Sequence, residues 1–413
     1  MTSASTPDLP LAAVQLALHK TTEFLAHELA QPHTVAPEWS EFEWRIARAA
    51  VTIHGVTGLM AVRTRWLGPL GWRPFLSDQR VQIARRQARM QALVQQVDAR
   101  ARMRGVALVA LKGAALHAQG IYSAGERPMA DLDLLVSEAN MARATELLTE
   151  LGFSLGYVTW KHHTFEPTDG AAGPASFGED GGNSIKIELH SRIREILPLR
   201  PVDLTALVWP TSAVPGINGY ASRASLLLHV LLHASGSLPL RAVRLLHLQD
   251  IARLIQGMSE TDWDELFRQA AVSADPSLWW AYPPLLLTDR YFRCVPRSVL
   301  ERLASGCHWQ LRRAYRGRVL SDVSLSDLWI SAFPGIEWSR SLREMLAYAV
   351  ARVWPRPETL ASREKFAEVQ PLISGGEWAH SSQGRRILRW LLARQPRQES
   401  LQPVRISLAH PLS

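Results

Sequence analysis

The hexapeptide DLDLLV at 131–136 constrains this chain more than any other feature. Asp131 and Asp133 alternate with Leu132 and Leu134. Successive side chains of a β-strand point to opposite faces, so the two carboxylates project side by side while the leucines turn into a core. Two acids on one strand face are costly to hold together unless a cation or a basic group neutralises them. A divalent metal such as Mg²⁺, carrying a phosphate substrate, is the usual reason to build such a pair. The neighbours Met129, Leu135 and Val136 are apolar, which argues for a buried strand rather than a solvated edge.

The residues upstream suit the same chemistry. VALVAL at 106–111 is short, apolar and partly β-branched, as a buried strand is, and Lys112, Gly113 and Ala114 follow it. A glycine turn entering a helix offers backbone N–H groups and a favourable dipole to an anion, which makes these three residues a candidate phosphate cradle. Lys112 either adds positive charge there or snorkels to water. Arg127 precedes the acid pair by four residues. Its planar fork suits phosphate, and neutralisation of Asp131 is a compatible reading. Tyr122 is expected to pack under this loop.

An apolar strand, a glycine followed by a small residue, then Asp-apolar-Asp on the next strand resembles the nucleotidyltransferase superfamily that includes DNA polymerase β. The wording LKGAAL…R…DLDLLV is similar to that of a bacterial group of uncharacterised nucleotidyltransferases, some of them encoded near peptide-tailoring or surface-polysaccharide biosynthetic clusters. WSEFEW…AAVTIHGVTGL at 39–59 resembles the group's leading helical region, and RVWPRPETLASREKF at 352–366 a segment near its C-terminus. The resemblance implies that Asp131 and Asp133 bind Mg²⁺ (or Mn²⁺), with a third acid on a later strand. Glu188 in SIKIELH is the candidate, since Lys186, Glu188 and His190 alternate with Ile185, Ile187 and Leu189. Asp131, Asp133 and Glu188 are thus the expected catalytic and metal-binding set, and Lys112, Gly113, Ala114 and Arg127 the nucleotide-binding set. Ala114 departs from the serine that many superfamily members carry there. Lys161 and His163 are expected on one face of a hairpin with His162 on the other, and Lys161, His163 and His190 are candidates for substrate contact.

The activity implied is transfer of NMP from an NTP, ATP foremost, to an acceptor hydroxyl with release of pyrophosphate. A small molecule or a peptide or protein hydroxyl is favoured over RNA as acceptor. A non-catalytic nucleotide- or RNA-binding partner and a phosphotransferase using the same metal site are the alternatives.

With 413 residues, 47% of them hydrophobic, the chain is long enough for two or three compact units. The expected class is α+β. A small polymerase β-like mixed sheet at 105–205 is flanked by helical regions at 1–104 and 206–370, with an extension at 371–413. Helices are predicted over 11–29, 39–66, 78–104 and 138–151, and strands over 157–165 and 184–190. The net charge of +8 is mostly arginine spread over such helices, so it reads as solvated helix faces rather than a nucleic-acid groove. Two cysteines, Cys294 and Cys307, are too few for a disulfide framework. No apolar run reaches bilayer length and the N-terminus lacks the pattern of a secretory signal, so a cytoplasmic protein is expected. His229 and His233 lie one helical turn apart, but no Glu follows the first, so the metalloprotease pattern fails. They are expected to line the face where the helices meet the catalytic unit.

Overall fold

The computed structural model describes residues 9–169, 177–271, 277–355 and 381–410. Its centre is a mixed six-stranded sheet built around the acidic hexapeptide. The strands are β1 (Ala107–Ala110), β2 (Asp131–Val136), β3 (Phe153–Val158), β4 (His163–Pro167), β5 (Lys186–His190) and β8 (Gly216–Asn218), in the order β3-β4-β5-β2-β1-β8. A separate hairpin joins β6 (Arg194–Leu197) to β7 (Arg200–Asp203). Strand β2 pairs antiparallel with β1 and parallel with β5. The parallel register sets Asp133 beside Glu188 and Leu135 beside His190.

Alternation along these strands divides the sheet as the pattern requires. Leu132, Leu134, Ile187 and Leu189 face one core, where Met90, Leu93 and Val97 of the long helix α4 (Trp72–Met103) and Leu147 of α6 (Met141–Glu150) cover them. The opposite face carries Asp131, Asp133, Glu188 and His190, with Leu135 and Val109 joining a second core. That core draws in α1 (Leu11–Ala30), α2 (Glu41–Ile53), α8 (Arg223–Ser237), α9 (Leu245–Gln256) and the terminal helix Gln398–Ala409. The result is an α+β protein with helical regions before and after the sheet. No described helix is long and apolar enough to cross a membrane.

Local rules account for the differences from expectation. The helix predicted over 39–66 is broken at Gly55, which takes a left-handed φ of 66° between α2 and α3 (Thr57–Arg63). Helix α4 begins before Asp78 because Pro74 sits in its first turn, where a missing N–H costs nothing. The strand predicted over 157–165 is two strands. A turn at 159–162 interrupts it, closed by the Thr159 N–H donating to the His162 carbonyl at 2.9 Å and by the Thr159 hydroxyl accepting from the Lys161 and His162 N–H groups. Of the segment 352–366, residues 356–366 lie outside the described residues, as do 371–380 of the expected extension. The remainder of that extension holds the helices Gln383–Leu392 and Gln398–Ala409.

The loop that delivers the chain into β2 is anchored by a buried ion pair. Arg127 donates from Nε and Nη2 to the two carboxylate oxygens of Asp250 on α9, at 2.9 and 2.8 Å. The Tyr122 hydroxyl donates to the same carboxylate at 2.7 Å. Arg127 therefore neither faces a phosphate nor pairs with Asp131; its fork is spent on a helix partner 123 positions later. Tyr122 packs under the loop, as expected. Gly113 is required by this anchor, because a Cβ there would lie 2.5 Å from Arg127 Nη1 and 2.9 Å from Met129 Sδ.

Asp250→Ala strands a buried guanidinium and is expected to cost about 3–5 kcal/mol in urea unfolding. The pair Arg127→Met with Asp250→Leu is expected to recover most of that loss. A double variant as unstable as Asp250→Ala would show that the anchor acts through something other than charge burial.

Candidate active site

The acid pair and the third acid meet on one face of the sheet because β2 and β5 run in parallel register. Asp133 is buried, and its Oδ1 accepts from Lys112 Nζ at 2.8 Å and from His190 Nε2 at 2.9 Å. Lys112 holds a left-handed φ of 43°, unusual for a residue with a side chain. Its N–H donates to the Tyr220 hydroxyl at 3.1 Å, and that hydroxyl lies 2.7 Å from His229 Nδ1. Strand end, tyrosine and helix α8 thus hold the lysine where its ammonium reaches back to β2.

Burial and the neighbouring Asp133 charge push the Asp131 carboxyl up to about 6. Burial and then the charges of Asp131 and Asp133 push Glu188 up to about 8. Asp133 goes the other way. Burial works against its charge, but Lys112 and His190 hold it well below the usual carboxylate range. For Lys112 burial opposes the charge too, yet Asp133, Asp131 and Glu188 together outweigh it and raise its proton affinity. Lys112 is thus shared among three carboxylates, with Arg86 and Arg244 acting on Asp131 besides. Such a donor set fits a divalent cation.

Asp131 is half-buried and makes no ion pair within 4 Å among the described residues. The arginines whose charges reach it are Arg86 and Arg244. Arg86 is committed to backbone, donating to the Met129 carbonyl at 2.6 Å and to the Ala130 carbonyl. Arg244 is exposed and has no side-chain partner among the described residues. Neither arginine carried a recognisable signal in the sequence, because each acts from a helix or loop remote from the motif.

The other predicted residues divide. The cradle is partly occupied by the protein itself, since the Lys112 N–H serves Tyr220 and the Ala114 N–H donates to the Leu111 carbonyl at 3.2 Å. Lys161 pairs with Glu195 at 2.5 Å. His163 begins β4 opposite Leu189 and makes no contact with the acids, whereas His162, set aside by the alternation argument, comes within 3.4 Å of Glu188. The turn at 159–162 is the reason, because strand alternation does not run through it. His190 joins the site as expected, against Asp133. A cleft of about 180 Å³ is lined by Lys112, His162, Glu188, His190, His229 and His233. The last two are therefore wall residues, as expected of them.

The structure is thus an α+β protein whose mixed sheet brings a carboxylate pair and a third acid together beside a lysine-bearing strand–helix turn. A family model described as an uncharacterised nucleotidyltransferase matches residues 40–274, more than half of the chain, and the chain belongs to that family. The match takes in the helical segment at 39–59 almost entirely and ends well before 352–366. No curated protein and no solved structure matches the chain.

Between the ordinary carboxyl value of 4.5 and about 8, the unfolded chain releases the Glu188 proton while the native site keeps it. Asp131 does the same from 3.8 to about 6. Both make the native state bind more protons, whereas the buried histidines His54, His162, His229, His233 and His247 make it bind fewer below about 6.5. Metal-free protein is therefore expected to lose stability only as pH rises from about 7 to about 8, where Glu188 alone still holds its proton. Asp133 contributes the opposite slope, confined to acid pH. Thermal unfolding in chelator from pH 7 to 8, above the range in which the unfolded histidines take up protons, checks this, with Glu188→Gln expected to flatten the fall.

Proposed function

We propose that this chain is a divalent-metal-dependent nucleotidyltransferase that moves NMP from an NTP, ATP foremost, to an acceptor hydroxyl. The observation that carries the reading is the placement of Asp131, Asp133 and Glu188 from two neighbouring strands on one face of the sheet, with Glu188 opening onto a cleft that Lys112, Lys161, Arg192 and Arg194 also line. Membership of a nucleotidyltransferase family supports the reaction class. Mg²⁺ or Mn²⁺ held by the acids would neutralise the triphosphate and polarise the α-phosphate.

The chain's own residues have separable tasks. Asp131, without an ion pair among the described residues, is the carboxylate most available to a cation. Asp133 is fixed in rotamer and charge state by Lys112 and His190. Glu188 keeps its proton in the metal-free site and loses it beside a bound cation. The carboxylate then accepts the proton of the acceptor hydroxyl as the hydroxyl oxygen bonds to the α-phosphorus and the α–β bridging P–O bond breaks. Pyrophosphate carries away the electron pair of that bond. Lys112, with Arg244 as a cation that makes no side-chain pair among the described residues and whose charge reaches Asp131, is the group placed to hold phosphate charge, and the NMP product leaves attached to the acceptor. A small molecule or a peptide or protein hydroxyl suits a cleft of this size better than a folded RNA.

Incubation with Mg²⁺ or Mn²⁺, α- or γ-labelled ATP and candidate acceptors tests the reading. The α-label is expected in the acceptor, with Asp131→Ala lowering turnover by about a thousandfold. Transfer of the γ-label alone would replace it with phosphotransfer. Wild-type protein that binds no NTP in the presence of metal would end the enzyme reading altogether.

A further inference from the structure

Beside the acid pair lies a second donor cluster of a different chemical kind. His162, Glu188 and His190 each bring one ligand atom, and these atoms lie within 4.8 Å of one another. His162 Nδ1 stands 3.4 Å from Glu188 Oε2, and His190 Nε2 stands 3.7 Å from the same oxygen. A tetrahedral ion with bonds of about 2.0–2.1 Å sets its ligands about 3.3–3.4 Å apart, so both histidine nitrogens already sit near coordination spacing from the glutamate oxygen. His162 Nδ1 is buried and has no hydrogen-bond partner among the described residues, and neither has the Thr164 hydroxyl in register with Glu188. Two orphaned polar atoms on one side of a glutamate are unexpected in a wall meant only for packing.

The backbone explains why the cluster is rigid. Glu188 and His190 are alternate residues of β5, so they share a face. His162 leads out of the turn into β4, the antiparallel neighbour of β5. In the metal-free site His190 Nε2 carries its proton toward Asp133 Oδ1 at 2.9 Å, so cation binding at Nε2 replaces that hydrogen bond and leaves the ring proton on Nδ1.

We propose that His162, Glu188 and His190 form a binding site for a borderline divalent cation of the Zn²⁺–Co²⁺ class. An all-oxygen set suits Mg²⁺, whereas two imidazoles beside a carboxylate favour Zn²⁺ or Co²⁺. The assignment deepens the transferase reading by naming the ion beside the third acid, and it rests on that reading for its biological meaning. Its binding test is independent of transfer.

Full-length, chelator-treated protein is titrated with Co²⁺, and the visible ligand-field spectrum is followed. One equivalent is expected to bind with intense bands of a nitrogen-containing, low-coordinate site. Stoichiometric Zn²⁺ is expected to displace it and a large excess of Mg²⁺ to leave it in place. His162→Ala, and His162→Phe that preserves ring packing, are each expected to weaken Co²⁺ binding by about tenfold or more, with His163→Ala unchanged. Equal Co²⁺ affinity in the His162 and His163 variants, or displacement by equimolar Mg²⁺, would overturn the site. If NMP transfer runs on Mg²⁺ without His162-dependent Co²⁺ binding, the inference fails alone. If His162-dependent Co²⁺ binding is found but no NTP binds, the transferase reading fails and the metal site stands.

Discussion

Everything at this site depends on one ammonium group balancing three carboxylates. Lys112 Nζ bonds Asp133 directly and acts on Asp131 and Glu188 through space. Without it, β2 and β5 would bring three acids to one half-buried face with only His190 and the more distant Arg86 and Arg244 to offset their repulsion. Holding it there takes a left-handed backbone at a residue with a side chain, a tyrosine hydroxyl from outside the sheet, and a glycine next door that leaves room for Arg127. The sheet, the loop anchor and helix α8 are all enlisted in positioning one positive charge.

The histidines around it complete the electrostatic arrangement. Burial lowers the proton affinity of His162 to about 4 and of His229 and His247 to about 3, and takes His233 well below its usual range. At neutral pH these rings are uncharged. They can donate or accept hydrogen bonds, but they do not compete with a cation for the negative charge of the acids. The neutral rings shape the cleft, and the positive charge along its walls comes instead from Lys112, Lys161, Arg192 and Arg194, which suit an incoming phosphate.

Much of this was legible in the sequence, and the parts that were not share a physical cause. Period-two alternation located β2 at its observed bounds and put Glu188 and His190 on the acid face of β5, because alternation is a property of a few adjacent residues. His162 was misplaced because a four-residue turn replaces strand geometry where the same alternation was extended across it. Arg127 looked like a phosphate ligand because its true partner, Asp250, is remote in sequence and nothing local announces a helix docking there. Gly113 was read as a turn residue, whereas the left-handed position is Lys112 and the glycine provides clearance. Tyr220 and Arg244 reach the site only through tertiary packing and left no pattern to find. The boundary drawn at residue 104 follows the end of α4, yet helices from both sides of the sheet share one core.

That shared core has a consequence for the order in which the protein is assembled. Arg48 of α2 is buried and donates to the Ser407 carbonyl at 2.8 Å, and Ser407 in turn donates to the Arg45 carbonyl at 2.6 Å. Gln402, Pro403 and Ile406 of the terminal helix close a hollow whose other walls include Thr52, Gly178 and Glu179. The early helices thus wait for a partner made more than 350 residues later. During synthesis α1 can cover one side of α2 at once, but the side that packs on the terminal helix stays without its native cover until that helix is made, and until then it is work for a chaperone.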